Sequence, residues 1–166
     1  MPPVATPARS RLPALGPRGE GWVAAQAVLF IATGLAGLAG PAWTGPMRTV
    51  SLVTGVALAA AGGALAGRGV FDLRGGLTPY PRPKADVALV DTGAYTRVRH
   101  PIYGGLILVA FGWGLITAAP LALAAALLLG AFFDLKSRRE EAWLVERFPG
   151  YEAYRRRARR LIPWLY

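Results

Sequence analysis

The chain has 166 residues, of which 54% are hydrophobic and only 17% charged, yet its net charge is +10. Soluble domains carry roughly 25% charged residues, so the deficit points to apolar surface that meets lipid and excludes a disordered chain. Absence of cysteine excludes disulfides, thiol nucleophiles and Cys-ligated metal; the lone histidine, His100, cannot build a multi-histidine site, and no metal is expected.

Residues 1–21 are rich in proline and glycine without periodicity and predict a mobile N-terminal tail. Trp22 to Gly40 then runs 19 residues without a charge, with Gln26 and Thr33 as its clearly polar side chains. Thr49 to Gly67 is a second uncharged run of 19, and Gly104 to Phe133 a third of 30, interrupted at Ala118-Ala119-Pro120. A bilayer core about 30 Å thick takes about 20 helical residues, so each of the first two runs predicts one span. The third is too long for one. As a hairpin turning near Pro120 it borrows Ile102, Tyr103 and residues 134–136 to reach across.

Charge decides for the hairpin. Lys and Arg fall as three in residues 1–21, one at Arg48, six in 68–101 and nine in 134–166. Four spans put all of them except Arg48 on one side, which the positive-inside rule makes the cytoplasm. The expected fold is therefore an all-α integral protein of the cytoplasmic membrane, both termini cytoplasmic. Its four transmembrane helices lie at about 22–40, 49–67, 102–118 and 120–136, the last two a hairpin, followed by a cytoplasmic C-terminal helix. Residues 22–166 form one domain. A cleaved signal peptide is rejected, because the first apolar stretch exceeds the roughly 7–15 residues of an h-region. Ala59, Gly63 and Gly67, four apart on the second span, predict close helix packing within the chain.

The polar residues concentrate in two cytoplasmic stretches, and the cofactor region expected from them is 80–103 and 136–166. Alternating prolines from Pro79 to Pro83 make an extended connector. Pro101 suits the first turn of the third span, and Gly104 and Gly105 leave space on that helix beside His100 and Tyr103. A helix N-terminus flanked by Arg97, Arg99 and His100 suits a carboxylate or phosphate. Lys136 and Glu140, like Arg138 and Glu141, share a helix face. Such pairs are usually solvated and worth about 0–1 kcal/mol, but the hairpin brings Glu140 and Glu141 beside His100. The arginines of 155–160, near Trp164 and Tyr166, read as an anchor for anionic headgroups. The bilayer is the partner they imply, and no nucleic acid is expected.

The series Gly93-Ala94-Tyr95, Arg99-His100-Pro101-Ile102-Tyr103-Gly104, a helical hairpin, then Glu140-Glu141, Leu144, Phe148, Tyr151, Tyr154 and Ile162-Pro163 resembles one family. It is the isoprenylcysteine carboxyl methyltransferase family with its phospholipid methyltransferase relatives, matched from about Val87 to Trp164. The resemblance implies an integral membrane enzyme that uses S-adenosylmethionine without a Rossmann domain, and the sequence has no strand-Gly-x-Gly-x-x-Gly-helix unit to supply one. It implies cofactor contacts at Val87, Ala88, Leu89, Val90, Tyr95, His100, Pro101, Ile102, Tyr103 and Glu140; Arg99 beside His100 suits the cofactor's carboxylate. It puts Lys136 where the family has an acceptor-orienting Arg, a point charge in place of a planar fork, with Arg138 or Arg139 as substitutes. A carboxylate acceptor needs no base, whereas a phenol or amine would need His100 or Glu141. The catalytic candidates are thus His100, Glu141, Lys136 and Arg138.

The implied function is methyl transfer to a hydrophobic, lipidic or prenyl-type acceptor at the cytoplasmic membrane face, O-methylation of a carboxylate or hydroxyl being favoured. Two other classes stand beside it: a membrane reductase of the sterol-reductase type using NADPH, and a non-catalytic membrane assembly protein.

Overall fold

The computed structural model describes residues 12–166, and their regular structure is helical: α1 (Glu20–Ala36), α2 (Gly45–Leu73), α3 (Pro101–Thr117), α4 (Pro120–Arg147) and α5 (Tyr151–Arg157). Residues 1–11 of the expected tail lie outside the described residues. Residues 12–19 lie against the rest of the chain: Trp22 Nε1 donates to the Pro13 carbonyl at 3.1 Å, and Arg82 Nη1 to the Pro17 carbonyl at 3.0 Å.

Among the described residues, three helical stretches are long and apolar enough to cross a membrane: Glu20–Ala39, Gly45–Gly76 and Pro120–Arg147, of 20, 32 and 28 residues. Four were expected. The difference is α3, apolar but only 17 residues long, about 25 Å at 1.5 Å per residue. Proline fixes both limits of this shortness. Pro101 opens α3, and the helix ends at Ala118 in the left-handed region (φ 53°), from which Pro120 starts α4 directly. The expected hairpin is thus present with a turn of two residues. Outward side chains such as Val28, Ile31, Val53, Leu127 and Leu128 are each more than 60% exposed, an apolar surface suited to lipid.

The most extensive helix pairing is between α2 and α3, which run antiparallel. Glycines seven residues apart make it possible. A Cβ on Gly55 would lie 2.8 Å from the Gly112 carbonyl, one on Gly62 2.5 Å from the Gly105 carbonyl, and one on Gly69 2.9 Å from Pro101. The backbones touch where side chains are missing, and Ser51 Oγ closes the seam by donating to the Leu115 carbonyl at 2.5 Å. This corrects the expected stripe. Ala59 does face Gly112, but added Cβ atoms at Gly63 and Gly67 meet open space. The packing period is seven, two full turns, and a four-residue spacing drifts off the face.

Helix α4 packs on α3 and α1 through a core of Ile107, Ala110, Ala126, Leu129 and Phe133. A second core of Tyr95, Tyr151, Tyr154 and Ala158 joins α5 to the 93–96 turn. The C-terminal segment then returns to α3. Arg99 N donates to the Arg159 carbonyl at 2.8 Å, His100 N to the Arg160 carbonyl at 2.9 Å, and Arg159 N to the Arg97 carbonyl at 2.8 Å. A Cβ on Gly104 would overlap the Leu161 carbonyl. The space expected beside Gly104 and Gly105 is therefore filled by chain, Leu161 at one and α2 at the other.

Candidate functional site

A cavity of about 340 Å³ opens where the polar ends of α3 and α4 meet the 77–90 connector and α5. Of the expected cofactor positions, Val87, Ala88, Leu89, Val90, Tyr95, Arg99, His100, Ile102, Tyr103 and Glu140 line it. Pro101 does not; it is buried against α2 at Gly69. Of the expected catalytic residues, His100 and Lys136 line the cavity while Glu141 and Arg138 do not. Glu140 is the acidic side chain among the lining residues.

Neighbouring carboxylates point to different surroundings because successive helical residues diverge by about 100°. Glu140 Oε2 accepts a hydrogen bond from Tyr103 Oη at 2.7 Å, and His100 Nδ1 stands 3.9 Å away. The His100 and Tyr103 rings are stacked, 5.4 Å apart and 2° from parallel, and Tyr103 stacks in turn on Phe133. The wall carrying Glu140 is thus held on both sides. Glu141, 3% exposed, turns inward: its Oε1 accepts from Arg99 Nε at 2.9 Å, sits 3.3 Å from His100 Nε2 and 3.5 Å from Arg160 Nε. A carboxylate between two guanidiniums fixes the imidazole ring.

Arg99 Nε and Nη1 bond the chain itself. Besides Glu141 it bonds the carbonyls of Arg155 and Ala158. Lys136 is 1% exposed and hydrogen-bonded from Nζ to Gln26 Oε1 at 2.5 Å and to the Pro79 carbonyl at 3.1 Å. An ammonium has three protons, so one remains for a group in the cavity. Arg138, half exposed, bonds Asp134 at 2.7 Å and Tyr166 Oη at 3.3 Å, away from the cavity.

Sequence reasoning missed two contributions. Gln26, from α1, lines the cavity and holds Lys136. The signal was there, because a polar side chain inside a span marks a functional position by default. Tyr151 and Tyr154 also form the wall. Tyr154 Oη donates to the Tyr95 carbonyl at 2.7 Å, while the buried Tyr151 hydroxyl has no hydrogen-bond partner. Burial raises all three phenols, Tyr95, Tyr151 and Tyr154, above the ordinary tyrosine range, so they stay protonated near neutrality and can donate but not act as bases.

An adenosyl sulfonium amino acid fits this donor set. The cavity offers a carboxylate for an ammonium or ribose hydroxyls, a buried cation for a carboxylate, aromatic faces for a sulfonium and an orphaned phenol hydroxyl seeking a partner. A search of curated proteins returns no match. The sequence model of phospholipid methyltransferases matches residues 50–150, which hold most of α2, all of α3 and α4, and the connector that completes the cavity.

Proposed function

We propose, from the premise that this chain belongs to the phospholipid methyltransferase family, that its methyl transfer takes place in the cavity around Glu140, on the cytoplasmic side of the membrane. The protein is a membrane methyltransferase that methylates a lipid acceptor with S-adenosylmethionine, as its family does. When bound, the cofactor supplies an electrophilic methyl group on a positively charged sulfur. The observation that carries this reading is Glu140, the acidic group of the cavity, fixed by Tyr103 at 2.7 Å in a lining that also includes Tyr151, whose hydroxyl is unpartnered.

In this reading Glu140 receives the cofactor's ammonium or ribose hydroxyls, and Tyr151 donates to it. Tyr95, Phe148 and Leu89 cover its flat portion. The third proton of Lys136 meets an anionic group, the cofactor's carboxylate or the phosphate or carboxylate of a lipid head. The apolar lining excludes water, and alignment supplies most of the catalysis. A carboxylate acceptor reacts as it stands, whereas a hydroxyl or amine passes its proton to the His100–Glu140 pair. Glu141 is a positioning residue that locks His100, Arg99 and Arg160. Arg138 lies outside the reaction and ties α4 to the C-terminal segment.

Four crossings suit this placement. Helix α3 runs beside α2 from Gly69 and Pro101 to Ser51 and Leu115, so it shares the depth of a span although it is shorter. Both termini then lie on the cavity's side, with 18 of the 19 basic residues. Methyl-labelled S-adenosylmethionine with a lipid extract tests the reading. The wild-type protein labels a lipid, mass spectrometry of the product separates O- from N-methylation, and Glu140→Gln labels little. No labelled lipid from the folded wild type would overturn it.

A further inference from the structure

A second, more open groove, of about 290 Å³, lies farther from the polar helix ends between α1, α3 and α4. Its walls continue those of the first along the same three helices. Leu106 lines both. On α1, Gln26 lines the first and Phe30, one turn on, the second; on α4, Lys136 lines the first and Leu129, two turns earlier, the second. The two cavities are stacked on one seam.

The second cavity offers nothing for a polar ligand. Its buried Thr33 hydroxyl is satisfied by the Leu29 carbonyl at 2.8 Å, and Trp113 Nε1 donates to the Gly34 carbonyl at 3.3 Å. At its far end stands the Trp113 indole, which a Cβ on Gly37 would overlap. A Cβ on Gly34 meets open space. From Leu106 to Trp113 is seven helical residues, about 10 Å.

We propose that this groove holds the apolar tail of the lipid acceptor whose head lies beside Lys136 and Glu140, and that Trp113, seated on Gly37, sets the length of tail accepted. The proposal rests on the methyltransferase reading and adds to it a determinant of specificity. Continuity through Leu106 selects this occupant: a tail lying here carries its head toward the reaction cavity, whereas a helix from a second copy is too wide for a groove of this volume.

The test uses the full chain in phosphatidylcholine nanodiscs with a long-chain phosphatidylethanolamine bearing a photoactivatable diazirine in mid-chain. Labelling is expected at groove residues such as Phe30 and Leu129, displaced by dipalmitoyl but not dihexanoyl phosphatidylethanolamine. Gly34→Leu, which the open space can seat, lowers this labelling roughly tenfold or more, the scale on which an apolar pocket discriminates. Trp113→Ala, as a second variant, shifts methyl transfer toward longer tails. Labelling spread over outward residues such as Val28 and Ile31 and unchanged by Gly34→Leu would overturn the proposal, as would equal labelling by a phosphatidylcholine analogue, which marks bulk lipid. A cooperative thermal melt reports folding in each preparation, and S-adenosylmethionine binding reports the reaction site. A wild type that binds none defeats the methyltransferase reading itself, a result separate from the labelling pattern.

Discussion

Glu140 and Glu141 are adjacent in the chain and do different work. Glu140 lines the cavity and accepts from Tyr103; Glu141 is enclosed by Arg99, His100 and Arg160. Their substitutions should therefore fail differently. Glu140→Gln removes a charged hydrogen-bond acceptor worth about 1.5–3 kcal/mol and weakens cofactor binding roughly tenfold to a hundredfold, with little change in the melting temperature. Glu141→Ala leaves Arg99 without its buried counter-charge, a loss of about 3–5 kcal/mol, and lowers the melting temperature sharply. Tyr151 gives a pair of opposite signs. Its buried hydroxyl has no partner, which costs about 1–3 kcal/mol, so Tyr151→Phe raises the thermal stability of the ligand-free protein while weakening cofactor binding. The raised phenols of Tyr95, Tyr151 and Tyr154 add a pH signature. A proton held more tightly in the folded state stabilises fully below the unfolded tyrosine value of about 10. That contribution is lost as pH rises beyond it, so denaturation monitored by tyrosine absorbance should steepen above about pH 10, and less so in Tyr154→Phe.

At the scale of elements, the α2–α3 seam is the frame on which α3 presents His100 and Tyr103. Gly62 and Gly105 meet backbone to backbone, so Gly105→Val forces the helices apart and costs more than the roughly 1–3 kcal/mol typical of overpacking. Gly63→Ala adds a methyl to open space and should be neutral or slightly stabilising, because alanine is the better helix former; thermal melts of the two variants check the difference. Here the sequence could be read only in part. Uncharged runs and basic flanks located the helices and the hairpin, because lipid imposes a length and a charge rule on them. Which glycines form the seam was not legible, because the second span is small and apolar all round and leaves its inward face unmarked. The site divides the same way. The Arg-His-Pro-x-Tyr-x-Gly element and the Glu pair pointed to the cavity. Gln26 stood out as polar within a span and Tyr151 within the family-like series, but their places in the wall, like the pairing of residues 97–100 with 159–160, depend on contacts between segments far apart in sequence.

At the scale of the whole molecule, a chain of 166 residues with 19 basic side chains and no cysteine lends itself to a topology test. Single cysteines replacing Ala42, exposed in the α1–α2 loop, and Arg156, exposed on α5, introduce the only thiols in the protein. In intact cells an impermeant thiol reagent should label the first and spare the second, and reach both after lysis. Labelling of Arg156→Cys from outside would put the cavity on the other face. The arginines of α5 are partly committed inside the fold, Arg155 to Glu152 and Arg157 to Asp91. Trp164 and Leu165 are over 70% exposed, apolar surface of the kind that suits a membrane interface.

If the cavity at the ends of α3 and α4 binds S-adenosylmethionine through Glu140, calorimetry on detergent-purified protein registers it. Titration with S-adenosylmethionine and S-adenosylhomocysteine should give saturable binding of both, weakened roughly tenfold or more by Glu140→Gln, with no heat from NADPH. Binding of neither ligand by folded protein, or equal binding by wild type and Glu140→Gln, would contradict it.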